Sequence, residues 1–248
     1  MSDWVDARVH EIKNWTDVLF SLRIKAPIDS FIAGQFTKIA LDLNSKRIQR
    51  AYSYVNAPND EILEFYLTMV PGGKLTPNLH RLKPGEKLMI TKKASGSFVL
   101  DSIPKCKTLW MLSTGTAIGP YLSILQHGKD LDRFDKIILV HAVRYSTDLS
   151  FSNLINKLKD KYVKKLHFQT IVSREKNYYS LYGHIPDLIS NGELENAIKL
   201  TIDSDSSHVM LCGNPGMVND TKKLLTNTRG MSINLKASPG HITSENYW

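Results

Sequence analysis

Arg50-Ala51-Tyr52-Ser53 places a guanidinium fork, an aromatic plate and a hydroxyl within four residues. On a strand, a spacing of two puts Arg50 and Tyr52 on one face. There the fork matches phosphate oxygens and the ring offers a flat apolar surface. Further along, Gly72-Gly73-Lys74-Leu75-Thr76-Pro77 runs a glycine turn into a helix start, where unpaired N–H groups face an anion. Ser113-Thr114-Gly115-Thr116-Ala117-Ile118-Gly119-Pro120 joins an apolar run to a helical pattern. It lacks the G-x-G-x-x-G spacing, but its backbone and the following helix can still face a pyrophosphate. The next apolar run ends in His141-Ala142-Val143-Arg144, and a third in Ile171-Val172-Ser173-Arg174-Glu175. An NAD-binding fold places an acid at such a strand end for the ribose hydroxyls, whereas an arginine suits a 2′-phosphate. Two of the chain's nine arginines fall at these two ends. Cys212-Gly213-Asn214-Pro215-Gly216-Met217 repeats the strand, glycine turn and helix arrangement. Each motif has a plainer reading when taken singly: a glycine turn required by geometry, a solvated strand-end charge, or a small buried cysteine.

The elements that position these motifs change character near Asp101. Before it, Phe20 to Lys25 alternates strictly between apolar and polar residues, and Leu63 to Met69 has apolar residues at every odd position. With Val5–Ile12, Gln35–Leu43, Arg50–Asn56 and Lys87–Lys92 they predict a six-stranded antiparallel β-barrel. Thr76 suits an N-cap, with Pro77 at the first helical position and Leu79 and Leu82 on one face. After Asp101, Thr108 to Leu112 and Ile137 to Val140 are continuous apolar runs, as in strands buried on both faces. Further strands are expected at Phe168–Val172 and His208–Cys212. Helical patterns cover Tyr121–Gln126, Phe151–Tyr162, Ile185–Ile189, Leu194–Leu200 and Met217–Asn227. This alternation predicts a doubly wound parallel sheet. The expected domains are therefore 1–101, a barrel, and 102–248, an α/β unit with an aromatic tail, joined through Ser102 to Lys107.

Composition narrows the setting. No apolar run approaches the ~20 residues of a membrane span. The first residues, with Asp3, Trp4 and Asp6, do not read as a signal peptide, so a cytoplasmic protein is expected. Cys106 and Cys212 stand apart from any C-x-x-C pattern, which indicates neither a disulfide framework nor a metal site. A net charge of +8 favours an acidic partner, although a lysine-rich surface can also arise without one.

In this order the motifs resemble the ferredoxin-NADP reductase superfamily over essentially the whole chain. Arg50-Ala51-Tyr52-Ser53-Tyr54-Val55-Asn56, Leu112 to Pro120 and the terminal Tyr247-Trp248 look like its bacterial ferredoxin/flavodoxin-NADP reductases. The resemblance implies FAD and NADP as cofactors. Arg50 would hold the FAD pyrophosphate with Ala51 beside it, Tyr52 would stack on the flavin, and Ser53 would lie near its N5. Tyr66, Leu67 and Thr68 would run along the flavin, Lys74, Leu75 and Thr76 would meet the phosphates, and Thr116 and Trp248 would complete the FAD site. Gly115 and Thr116 would lie at the NADP pyrophosphate, with Arg144, Ser173, Arg174 and His184 around the adenosine phosphate. Cys212, Gly213 and Asn214 would be near the nicotinamide. Ser53, Cys212 and Glu245 are the implied catalytic residues, with Glu245 relaying a proton.

One departure stands out: after Tyr182-Gly183 the bacterial members carry an arginine, and this chain has His184. NADPH preference is then expected to rest on Arg144 and Arg174, to be less strict, and to improve in acid, where an imidazole charges. The implied activity moves hydride from NADPH to FAD and single electrons to an acidic ferredoxin or flavodoxin, in a monomer that binds neither nucleic acid nor membrane. Lys92 and Lys93 of the barrel are expected to contribute to steering that carrier. Two other readings compete with it. The first is a flavin or siderophore (ferric) reductase with the same two sites, and the second is a basic nucleic-acid-binding protein, for which no groove-reading motif is present.

Overall fold

The computed structural model describes residues 3–247 and divides into two compact units, Met1–Leu100 with Gly119–Gly128, and Asp101–Ile118 with Lys129–Trp248. In the first unit, strands β1 (Trp4–Asn14), β2 (Leu19–Lys25), β3 (Phe36–Leu43), β4 (Lys46–Ser53), β5 (Leu63–Thr68) and β6 (Lys87–Thr91) pair antiparallel in the order β4-β3-β6-β1-β2-β5. The two outer strands meet. Tyr54 bridges to Phe65, and Val55 N–H donates to the Glu64 carbonyl at 2.9 Å, which closes the sheet into a barrel. The alternation seen in β2 fills the interior with Phe20, Leu22 and Ile24, joined by Ile39, Phe65, Leu88 and Ile90.

Helix α1 (Thr76–His80) starts where expected, with Pro77 in its first turn. Thr76 is not its cap, however. Leu75 occupies the cap position in a helical conformation, and Thr76 Oγ1 instead accepts the Val70 N–H at 3.0 Å, tying the glycine turn to the helix start. Helix α2 (Gly119–His127) groups with the barrel unit, although the expected boundary places it in the second. Beyond β4 the chain leaves two carbonyls outside the ladder. Gln126 donates to that of Val55 and Ser123 to that of Asn56, both at 2.7 Å.

The second unit carries β7 (Thr108–Thr114), β8 (Lys136–Val143), β9 (Leu166–Val172), β10 (Leu181–Tyr182), β11 (Ser207–Gly213) and β12 (Ile242–Asn246). All pairs are parallel, in the order β10-β9-β8-β7-β11-β12. Helices α3 (Ser152–Lys161), α4 (Ile185–Ser190), α5 (Glu193–Ile198) and α6 (Pro215–Arg229) connect them. The apolar runs of β7, β8 and β11 are buried on both faces, as a covered parallel sheet requires. From β7 the order proceeds to β8 on one side and β11 on the other, so their carboxyl ends flank a topological switch point. Strands β10 and β12 were not expected from the sequence. Among the described residues, no helix is long and apolar enough to cross a membrane.

Candidate functional site

In the barrel unit the candidate residues converge on the seam between β4 and β5. Arg50 and Ala51 are exposed, Tyr52 is half-buried against the barrel core, and Ser53 is buried at the end of β4. The Tyr54–Phe65 bridge is antiparallel, so its register brings Ser53 and Tyr52 beside Tyr66 and Leu67. Tyr66 and Leu67 are buried and Thr68 is exposed. Burial pushes the Tyr52 phenol well above its ordinary range, so its ring is a neutral surface near the Arg50 guanidinium. Ser53 Oγ is buried and has no hydrogen-bond partner among the described residues. A buried hydroxyl left unsatisfied costs roughly 1–3 kcal/mol, and such an atom at a seam fits a polar ligand group that completes it. Lys74 is exposed, while Leu75 and Thr76 are buried at the start of α1. Trp248 lies outside the described residues.

In the second unit every candidate lies at the carboxyl edge of the sheet. A turn of 3-10 helix, Gly115–Ile118, follows β7, with Gly115 at φ 55° and Thr116 buried. Its shape is fixed from the neighbouring strand: the fully buried His141 of β8 donates from Nε2 to the Gly115 carbonyl at 2.9 Å. Burial pushes His141 down to about 4, so the ring is neutral, and its Nδ1 has no partner among the described residues.

Arg144 follows β8 and Arg174 follows β9. The structure brings the two together, because the Arg174 N–H donates to the Arg144 carbonyl at 2.9 Å. Ser173 reinforces the link, donating to the Val143 carbonyl from its N–H at 3.1 Å and from its hydroxyl at 3.3 Å. Both guanidinium groups are exposed and able to meet a phosphate. His184 caps neither end of a ladder nor a helix with its side chain. Its Nδ1 stands 3.5 Å from Asp187 Oδ2, with both side chains more than two-thirds exposed.

At the β11 end Gly213 has φ 143°, and a Cβ there would fall 2.1 Å from Thr114 Oγ1. Only glycine permits that approach, which lets Asn214 N–H donate to the Thr114 hydroxyl at 2.8 Å. The Asn214 carboxamide oxygen caps α6, accepting from Gly216 and Met217. This leaves only the amide NH2 of that side chain for a ligand. Cys212 is fully buried, opposite Ser113 on one side and Glu245 on the other. Burial first and the Glu245 charge second push its thiol well above the ordinary value, so it is a packing group and not a thiolate. Glu245 sits within β12, and burial raises its carboxyl to about 7, where it can hold or release a proton near neutrality.

Three contributions escaped the sequence reading. Glu175 Oε1 accepts from Ser146 N–H at 2.6 Å and Ser146 Oγ–H at 2.5 Å, joining the two arginine-bearing loops. Asp187 supplies an acidic neighbour to His184, and His141 pins the turn after β7. A single histidine inside an otherwise apolar run, and an acid directly after a phosphate-type arginine, were the available signals.

Two family models match the chain. The oxidoreductase FAD-binding domain covers residues 8–99, and the oxidoreductase NAD-binding domain covers residues 111–223. The chain is 57% identical to the flavodoxin/ferredoxin-NADP reductase of Escherichia coli strain K12, over the full length of both. It is 51% identical to that of Buchnera aphidicola subspecies Baizongia pistaciae, again over all of each chain. Among solved structures it resembles a ferredoxin NADP+ reductase from Neisseria gonorrhoeae with bound FAD and NADP, at 29% identity, TM-score 0.94 and complete coverage of both chains.

Proposed function

The chain belongs to the flavodoxin/ferredoxin-NADP reductase family, and we propose that its barrel unit holds FAD while its parallel-sheet unit holds NADPH. It is an FAD-dependent reductase, an enzyme that draws hydride from NADPH and delivers electrons to ferredoxin or flavodoxin. Bound FAD supplies the conversion between a two-electron donor and one-electron acceptors, and the protein's part is to position, orient and exclude water.

In the barrel, Arg50 takes the cofactor's pyrophosphate, with Lys74 and the α1 start adding positive charge. Tyr52 would offer its face to the isoalloxazine ring with Ala51 beside it, and Tyr66, Leu67 and Thr68 would form the adjoining wall. Ser53 would hydrogen-bond near the ring's N5, and the buried, unpartnered state of its hydroxyl is the observation that carries this reading. In the other unit the Gly115–Thr116 turn cradles the NADP pyrophosphate, and Arg144, Ser173 and Arg174 hold its 2′-phosphate. His184 stands where the bacterial members carry an arginine and has Asp187 3.5 Å away, so preference for NADPH rests on the other two. Cys212, Gly213 and Asn214 shape the nicotinamide end, and Glu245 holds the exchangeable proton. The carrier is an acidic protein drawn by the +8 charge, and the enzyme works as a cytoplasmic monomer.

Ser53→Ala tests the carrying observation. The variant is expected to keep its flavin absorbance but to be reduced anaerobically by NADPH about 100-fold more slowly, the scale of a lost proton-transfer group. A Ser53→Ala protein reduced as fast as the parent would remove Ser53 from the N5 role.

A further inference from the structure

Glu175 is out of place by simple electrostatics. It follows Arg174 directly, so a free carboxylate there would pair with that guanidinium or repel the phosphate the loop is read as binding. In the structure it is not paired with that guanidinium. Its Oε1 is turned to the next loop and accepts both hydrogen bonds that Ser146 offers, at 2.6 and 2.5 Å. Those bonds favour the charged carboxylate and hold it below the usual carboxylate range. Among the described residues neither Arg144 nor Arg174 has an ion-pair partner, so no carboxylate is paired against either guanidinium.

Ser146 is a well-placed anchor. It opens a short helical turn, Ser146–Asp148, which is closed by Tyr145 N–H donating to Asp148 Oδ2 at 3.2 Å and by Asp148 N–H donating to the Tyr145 carbonyl at 3.0 Å. Holding that turn fixes the backbone two residues upstream, at Arg144. The clasp therefore works beside the Arg174-to-Arg144 backbone bond as a second tie between loops that follow different strands.

We propose that Glu175 is a positioning residue for recognition of the 2′-phosphate, clasping the Arg144 and Arg174 loops together through Ser146. This rests on the reading that those two arginines hold the phosphate. The clasp sets the spacing of the two forks and keeps the neighbouring acid from neutralising one of them, so its energy is realised with a 2′-phosphorylated nucleotide and not with one lacking that group.

The FAD-loaded protein is titrated calorimetrically with adenosine 2′,5′-bisphosphate and with 5′-AMP, for the parent, Glu175→Ala, Glu175→Gln and the milder Ser146→Ala. Glu175→Ala is expected to weaken the bisphosphate about tenfold, as loss of charged hydrogen bonds does, and to leave 5′-AMP within about twofold. Glu175→Gln, whose amide oxygen still accepts from Ser146, should recover most of the loss, and Ser146→Ala should fall between. In steady-state assays KM for NADPH rises while kcat and KM for NADH hold. Unchanged or tighter bisphosphate binding by Glu175→Ala overturns the clasp, since the acid would then be idle or merely repulsive. Equal losses for both nucleotides overturn it too, by showing a general loosening of the loops. In either case the parent's preference for the bisphosphate survives and the arginine reading stands. A parent protein that binds the two nucleotides equally removes that reading itself, and the clasp with it.

Discussion

At the scale of single residues, environment decides the chemistry more than residue type does. Cys212 and Glu245 face each other across β11 and β12, and burial acts on both. It keeps the thiol protonated and lifts the carboxyl from 4.5 to about 7. A raised carboxyl favours the folded state when protonated. That contribution is complete below about 4.5 and is lost as pH rises through about 7. Replacing Glu245 by Gln should therefore make the folded protein relatively more stable at pH 8 than at pH 5, by on the order of 2 kcal/mol after allowing for residual solvent. Thermal unfolding of parent and variant across that range measures it, and identical pH profiles would refute the shift. Tyr52 and Ser53 show the same lesson in the barrel, where a ring is held neutral and a hydroxyl is left unpaired by position.

Secondary-structure elements act here mainly as clamps on the turns that follow them. β8 delivers His141 to the Gly115 carbonyl, so an interior strand residue sets the shape of a surface turn. Because burial lowers the ring to about 4, the neutral form stabilises the fold above about 6.5, and that stability is lost as pH falls through about 4. His208, buried in β11 and also lowered to about 4, acts in the same direction. His141→Gln, a donor that does not titrate, should flatten part of the acid loss and keep NADP+ affinity. His141→Leu should flatten it equally and weaken NADP+ binding about tenfold, as a freed turn would. Denaturation between pH 4 and 6.5, with NADP+ titration at pH 7.5, separates the two. If His141→Leu binds as tightly as His141→Gln, the turn does not depend on the histidine. The β7 and β11 ends follow the same logic, since the close approach of the Thr114 hydroxyl requires glycine at 213.

Across the whole molecule, charge sets the rate of encounter more than the strength of the fold. On the proposed reading the +8 balance would steer an acidic carrier, and screening over about 10 Å at 0.1 M salt should slow association. Electron transfer to ferredoxin or flavodoxin should drop severalfold between 50 and 500 mM NaCl, while NADPH reduction of a small neutral acceptor changes much less. A salt-independent rate with the carrier would argue against steering. Of the two lysines expected to contribute, Lys92 is paired with Asp29 at 3.3 Å, which reduces its share, and Lys93 is exposed.

The sequence alone determined the element types and the order of the motifs, because both are written in local patterns. Alternation marked two of the six barrel strands most clearly, continuous apolar runs marked the covered parallel strands, and glycine turns stood where strands pass into helices. Arg50, Tyr52, Arg144 and Arg174 stood out for the same reason, as a phosphate fork and an aromatic plate on one strand and arginines just past the ends of two others. Only the tertiary structure decided the rest. β12 is built from Ile-Thr-Ser-Glu-Asn, which has no apolar run to announce it and is a strand because β11 offers a free edge in register. α2 follows β7 in sequence but satisfies carbonyls of the barrel unit. Thr76 was read as a cap and serves Val70 instead, since the chain is already helical at Leu75. Glu175 and Ser146 are 29 residues apart, and their pairing depends on two parallel strands ending side by side, a fact of packing that no local pattern carries.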